Sequence, residues 1–299
     1  MTNLKLEDVV ISGIKSPVLS KAPEGKEDDS EAVVYIHGNP GSSADWRDLV
    51  IQTGEFTRAI APDMPGYGKA DRPKNFPYTV DSFARHINDI LDYLEIEKVH
   101  LVLHDFGGCW GMQFASNHPE KVLSLSVINI GVAPGYQWHT YARIWRTPIL
   151  GELFQLCATR SGFRMLLNRD NPKPFPREFT DRMFIDSDWG LSRGMLRLYR
   201  SVDDMGALSV SLGESLKHLN LPSMVLWGEG DKFVSPDYAE IQKDYFDAEV
   251  HLLPGCGHWP MIDEPDLVAG YLIPFLRKQS DKVLRENKEL VEAFLVDMV

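Results

Sequence analysis

The chain has 299 residues, 43% of them hydrophobic and 25% charged, and a formal net charge of −12, an ordinary globular composition with room for one large domain or one domain carrying an insertion. The acid excess argues against nucleic acid or an anionic membrane as partner, since both select basic patches, and no apolar run approaches the roughly 20 residues of a membrane span. The opening Met-Thr-Asn-Leu-Lys-Leu-Glu-Asp lacks the apolar core of a signal peptide; Cys109, Cys157 and Cys256 are spaced neither as a metal pair nor as a disulfide framework, so free thiols in a cytoplasmic protein are expected.

Residues 5–21 alternate in polarity and predict two short strands joined near Gly13. The charged run Glu24–Glu31 reads as a solvated turn without a function. Ala32–Ile36 reads as a buried strand and ends in His37-Gly38-Asn39-Pro40-Gly41-Ser42-Ser43. A glycine-rich turn after a buried strand exposes backbone N–H groups, which suits the holding of negative charge, and Trp46 is expected beneath it; a plain turn is the alternative. Ala59–Asp63 begins a further strand and runs into a Gly- and Pro-rich loop, Met64–Pro73. Thr79 is placed to cap a helix reaching Glu95, with Phe83, Ile87, Ile90, Leu91 and Leu94 at helical spacing.

Val99–Leu103 is again a buried-strand pattern. It stops at His104-Asp105-Phe106-Gly107-Gly108, and a helical pattern follows at once, reaching about His118. A strand that turns sharply into a helix, with small residues after the turn, has the geometry of a nucleophile elbow. Its apex here is Asp105. A carboxylate attacking carbon from that point makes an ester to the protein, which water must then cleave. An aspartate in this position also commonly caps the next helix, which is the alternative. With the strand Val122–Ile130 the alternation continues and predicts a mostly parallel sheet covered by helices on both faces.

After Gly131 the pattern changes. Residues 133–217 hold no convincing buried strand and carry Tyr136, Trp138, Tyr141, Trp145, Phe154 and Phe163 at helical intervals. They read as a helical insertion over a body formed by residues 1–132 and 218–299. Strands return at Ser223–Trp227 and Glu249–Leu253, followed by the turns Gly228-Glu229-Gly230-Asp231 and Gly255-Cys256-Gly257-His258. Ligands of open α/β sheets bind beyond the carboxyl ends of the strands, so Asp105, Asp231 and His258 are expected to converge there in the order nucleophile, acid, base. The segment Ser280–Val299 is an amphipathic helix expected to dock on the body, with a homodimer contact as the alternative.

These residues resemble the α/β-hydrolases, in the branch of epoxide hydrolases and haloalkane dehalogenases that use an aspartate nucleophile. The likeness spans about Ala32 to Phe275 and rests on His37-Gly38-Asn39-Pro40, Gly66-Tyr67-Gly68, His104-Asp105-Phe106-Gly107-Gly108, Gly230-Asp231 and Gly257-His258. It implies an α/β-hydrolase fold with an inserted cap. By the same likeness Asp105 is the nucleophile, His258 the base and Asp231 the group that orients the imidazole, and the N–H groups of Asn39 and Phe106 form an oxyanion hole. The substrate is a small apolar electrophile, with no metal or cofactor needed, and Trp110, Tyr136 and His139 are expected to contact it.

The two branches differ in how the leaving atom is held. A dehalogenase pairs the Asn39 side chain with a tryptophan after the nucleophile, and Phe106 there has no ring N–H. An epoxide hydrolase uses two cap tyrosines as acids; Leu198-Tyr199-Arg200 resembles one such motif. Tyr141 is taken as the second, with His139 as the donor if only one tyrosine serves. Epoxide opening is the expectation, haloalkane dehalogenation the runner-up, and a non-catalytic ligand-binding relative the alternative from another class.

Overall fold

The computed structural model describes the backbone of residues 4–297 and the side chains of residues 4–283. The alternating stretch after the N-terminus forms β1 (Lys5–Ile11) and β2 (Ile14–Lys21), an antiparallel hairpin at the sheet edge. The chain then runs through β3 (Glu31–Ile36), α1 (Arg47–Thr53), β4 (Arg58–Pro62), α2 (Val80–Tyr93), β5 (Lys98–His104), α3 (Phe106–Asn117) and β6 (Val122–Ile128). Glu31, expected to end the solvated turn, instead opens β3 and meets the His100 ring at 3.1 Å.

The eight strands lie in the order β1-β2-β4-β3-β5-β6-β7-β8, where β7 is Pro222–Gly228 and β8 is Asp247–Leu253. The pairs from β4 to β8 are parallel, as the strand–helix alternation requires. A strand buried on both faces must be apolar at every position, and β3 shows why. Ala32, Val34 and Ile36 enter the core beneath α2 and α3, while Val33 and Tyr35 enter the opposite core with Trp46. Each fully buried Val, Leu or Ile stabilises the fold by about 1.5–3 kcal/mol. Helix α2 starts as read: Thr79 accepts from the Ser82 N–H, and the Ser82 hydroxyl accepts from the Thr79 N–H.

Between β6 and β7 the described residues form helices only. These are α4 (Thr140–Arg146), α5 (Leu150–Leu156), α6 (Arg160–Arg169), α7 (Arg177–Asp186), α8 (Trp189–Ser201) and α9 (Met205–Lys217). Helix α8 packs on α4 and α5, and α9 packs along α3 before the chain re-enters the sheet. Arg182 of α7 ties this layer to the loop after β3, donating to Ser42 Oγ at 2.8 Å and Asp45 Oδ1 at 2.6 Å.

After β8 come a short α10 (Pro260–Asp263) and α11 (Pro265–Asp297). The C-terminal helix is therefore not a separate element beginning at Ser280 but the far end of α11, which buries Val268, Leu272 and Leu276 against the sheet. Docking was expected on Val283, Leu290, Val291, Phe294, Leu295 and Met298; Val283 is half-buried, and the other five lie outside the residues whose side chains are described.

Candidate active site

Strand β5 ends at His104 and α3 begins at Phe106, so Asp105 alone makes the turn. Its φ and ψ are 50° and −130°, a sparsely populated conformation that costs of order 1–3 kcal/mol. The motif glycines are steric requirements of that turn. A Cβ on Gly107 would stand 2.5 Å from the Ile36 and His37 carbonyl oxygens, and one on Gly38 would stand 2.3 Å from Asp105 Cβ. Asp105 occupies the N-cap position of α3, yet its side chain makes no capping bond, which removes the capping alternative. Its Oδ1 accepts the Asn39 N–H at 2.6 Å and its Oδ2 lies 3.3 Å from His258 Nε2.

The other two predicted residues converge on it. His258 Nδ1 donates to Asp231 Oδ2 at 2.8 Å. Asp231 is held in turn by the N–H groups of Phe233 (2.7 Å) and Val234 (3.1 Å) on Oδ1. A residue missed in the sequence completes the arrangement. Asn129, just past β6 at φ 52°, donates from Nδ2 to Asp231 Oδ2 at 2.6 Å and to the Gly257 carbonyl at 3.2 Å, and its Oδ1 accepts the Gly228 N–H at 3.1 Å. Its signal was there to be read: a buried amide interrupting the apolar run Ser126-Val127-Ile128-Asn129-Ile130, which must find partners. His104 Nε2 donates to the His258 carbonyl at 2.7 Å, fixing the backbone behind the imidazole.

The loops beneath are tied down as well. His37 Nε2 accepts the Met64 N–H at 3.1 Å, and Asp63 accepts the N–H groups of Ser43 and Lys69, each at 2.7 Å. Asp63, read only as the end of a strand, thus clamps the end of the Asn39 turn to the loop that follows β4. Trp46, expected beneath that turn, is fully buried with its ring against Tyr35 and His104.

The electrostatics follow from this packing. Burial pushes the Asp105 carboxyl up, but His258, His104 and the Asn39 N–H outweigh it and hold its pKa at about 2. Burial pushes His258 down, but the two carboxylates win and raise its pKa to about 10. Asp105 and His258 are therefore an ion pair at neutral pH. Burial, with the nearby Asp105 charge, keeps Tyr199 well above the usual phenol range and hence protonated.

A cavity of about 90 Å³ is lined by Asp105 and His258 below and by Asn39, His139, Trp145 and Tyr199 around it, closed by apolar side chains of α5, α6 and α8. A smaller one, of about 30 Å³, lies beside Phe106 and is lined by Cys109, Tyr136, Trp138 and Met205. The two share Asp105, His139, Tyr199 and Phe233. Tyr136 lines the smaller cavity and His139 lines both. His139 caps α4, its Nδ1 accepting the Ala142 N–H at 3.3 Å. Burial lowers its pKa to about 4, so the neutral ring carries its proton on Nε2.

Two expectations are corrected. Tyr141 lines the larger cavity, but its hydroxyl donates to Asp170 Oδ2 at 2.6 Å and accepts from Arg169 at 2.7 Å; its proton is committed to a carboxylate. Trp110 contacts neither cavity. It is fully buried and stacked on Phe83 at 4.1 Å, because the face of α3 that carries it turns toward α2. The Phe106 ring packs edge-on against Tyr199 at 4.9 Å.

The sequence matches the alpha/beta hydrolase fold family over residues 31–265. Epoxide hydrolase 4 of Mus musculus is 26% identical over 292 residues, covering 90% of this chain and 78% of that protein. The cis-3-alkyl-4-alkyloxetan-2-one decarboxylase of Shewanella oneidensis is 27% identical over 286 residues, covering 87% and 86%. Hydrolases named for other reactions match over comparable lengths. Among solved structures, Cfl2 of Burkholderia cenocepacia superposes with a TM-score of 0.79 at 22% identity, covering 91% of this chain and 95% of that one, a likeness of fold.

Proposed function

The chain belongs to the alpha/beta hydrolase fold family, and from that membership we propose that it opens epoxides to diols through an ester formed on Asp105. The observation that carries the reading is the state of Asp105. It is an ionised carboxylate that caps nothing, faces an apolar cavity, and lies against both an N–H donor and an imidazole. The relatives named for an epoxide and for an oxetan-2-one support a strained oxygen ring as the electrophile.

Asp105 Oδ2 bonds to a ring carbon, the carbon–oxygen bond breaks, and its electron pair goes to the ring oxygen, which takes the Tyr199 proton. His139, with its proton on Nε2, is the second donor in place of Tyr141. The ester carries no charge, so His258 loses one of the two carboxylates that kept it protonated and passes its proton to the Tyr199 phenolate. Neutral His258 then takes a proton from water as that water attacks Cγ. The oxyanion forms on Oδ1, against the Asn39 N–H and with the Phe106 N–H as second donor, a contribution of about 3–4 kcal/mol per donor in comparable sites. The Cγ–Oδ2 bond breaks, the departing alkoxide takes the proton from His258, and the carboxylic acid left on Asp105 returns its own proton to the imidazole. Asp231 holds the ring in the correct tautomer throughout. The helices of residues 133–217 act as the cap, and the unequal cavities suit an apolar epoxide with one large and one small substituent.

Incubation with a panel of styrene-type and internal alkyl epoxides tests this: diol is expected, and its absence from every member overturns the reading. One observation favours haloalkane dehalogenation as a second reading. The Asn39 side-chain amide and the Trp145 indole N–H are buried without a hydrogen-bond partner, and both residues line the larger cavity; two weakly polar donors of that kind suit a halide. Chloride or bromide release from haloalkanes would select it. Inertness toward epoxides, haloalkanes and activated esters would leave the ligand-binding alternative.

A further inference from the structure

The net charge of −12 is an average over two unlike parts. Between residues 133 and 201 stand eleven Lys and Arg against six Asp and Glu, a balance of +5, which leaves −17 on the remainder. The exposed apolar side chains are segregated in the same way. Of the eleven large hydrophobic residues exposed among the described residues, seven fall between Ile149 and Trp189. Four of these belong to one short helix and its N-cap. Ile149 (74% exposed), Leu153 (52%) and Leu156 (65%) follow helical spacing along one side of α5, with Leu150 beside them.

The opposite side of α5 is accounted for. Phe154 and Gln155 line the larger cavity, and so does Ala158 just beyond the helix. The only charged residue on α5, Glu152, is bound by Arg200 through two bonds of 2.7 and 3.0 Å, so the helix presents no free anion. Thus α5 turns an apolar stripe outward and lines the cavity over Asp105 with its other side, and each neighbouring helix carries an exposed arginine, Arg143 on α4 and Arg160 on α6, the latter over the Phe184 ring.

We propose that this face docks on an anionic lipid surface, with the α5 stripe entering the headgroup boundary and Arg143 and Arg160 facing lipid phosphates. Charge complementarity selects this occupant. A second copy docking face to face would bring two cationic layers together, whereas an anionic lipid layer complements one. The −17 of the rest of the molecule does not oppose the approach at physiological salt, because charges more than about 8 Å from the contact are largely screened. No helix among the described residues is long and apolar enough to cross a membrane, so the association is peripheral. Its consequence is a route by which an apolar substrate dissolved in lipid reaches the cavity past α5. The proposal does not depend on which electrophile the site takes.

The test is co-sedimentation of the full chain with phosphatidylcholine vesicles, with and without phosphatidylglycerol. Wild-type protein should partition onto the anionic vesicles about tenfold or more over the neutral ones, and salt near 1 M, where screening acts within about 3 Å, should abolish the preference. Leu153→Glu with Leu156→Glu should lower partitioning by about tenfold or more while leaving the melting temperature unchanged, since both side chains are exposed. Arg143→Glu with Arg160→Glu should do the same and serves if the first pair fails to fold. Wild-type protein that ignores anionic vesicles, or variants that bind as well as wild type, overturn the proposal. So does a wild-type dimer in sedimentation velocity that the leucine pair converts to monomer, because the stripe would then join two copies.

Discussion

The imidazole of His258 stands 3.3 Å from the Asp105 carboxylate as the cation of an ion pair, not as a neutral base waiting for water. Its partner is the very group that the proposed first step would neutralise. Base strength at His258 is therefore coupled to the state of Asp105: the resting pair keeps the Asp105 carboxylate ionised, and forming the proposed ester would free the ring to accept a proton.

That coupling is measurable. Asp105→Asn should drop the His258 pKa well below its value of about 10, read by NMR titration of the imidazole resonances. The sign of the stability effect follows from the two shifts. The His258 contribution is fully present below its ordinary pKa of 6.5 and is lost as pH rises through about 10. The Asp105 contribution is present above its ordinary 3.8 and is lost as pH falls through about 2. Wild type should thus outrank the Asn variant most between roughly pH 4 and 6.5 in thermal melts. An unmoved His258 pKa would show that Asp231 alone sets it.

His258→Gln should stop the reaction after ester formation. Intact-mass spectrometry should show a gain equal to one substrate, mapped to the peptide that carries Asp105. In wild-type protein, a single turnover in ¹⁸O-water should put the label into the Asp105 carboxylate and leave the first diol unlabelled, since the bond that breaks is Cγ–Oδ2. Label in the first diol would mean that water attacks the substrate directly.

Tyr199→Phe and Tyr141→Phe separate the two tyrosines that line the larger cavity. The first should slow ring opening by about 10²–10⁴-fold, the range of a lost general acid. The second should leave kcat within a few-fold of wild type, because the Tyr141 hydroxyl is spent on Asp170. Steady-state kinetics on one epoxide decides both, and equal losses would return Tyr141 to the site.

Asn129→Ala removes a donor from Asp231 and strands the Gly228 N–H and the Gly257 carbonyl. Unfolding should become easier by about 1–3 kcal/mol, the cost of buried groups left unpaired. A positioning role should appear in kcat and in the pH profile, with KM little changed; loss of stability alone would reduce Asn129 to a structural part.

Much of this molecule was legible in order along the chain. The strand–turn–helix at Asp105, the cap at Thr79, the apolar runs of β3 and β5 and the strand-end turns carrying Asp231 and His258 are all local. Each is enforced by the sterics and hydrogen bonds of a few neighbouring residues or by burial on both faces of a parallel sheet, and parallel topology then gathers the strand ends at one edge. Such signals survive in sequence because the backbone itself imposes them.

The upper half of the site is of another kind. Where the Tyr141 hydroxyl turns depended on Asp170 reaching it from 29 residues away. Trp110 was lost to the core because α3 turns that face toward α2. The helical layer sits where Arg182 meets Asp45, 137 residues away in sequence. Side-chain packing between elements so far apart leaves no periodic trace, so only the folded chain could decide which groups look down on Asp105.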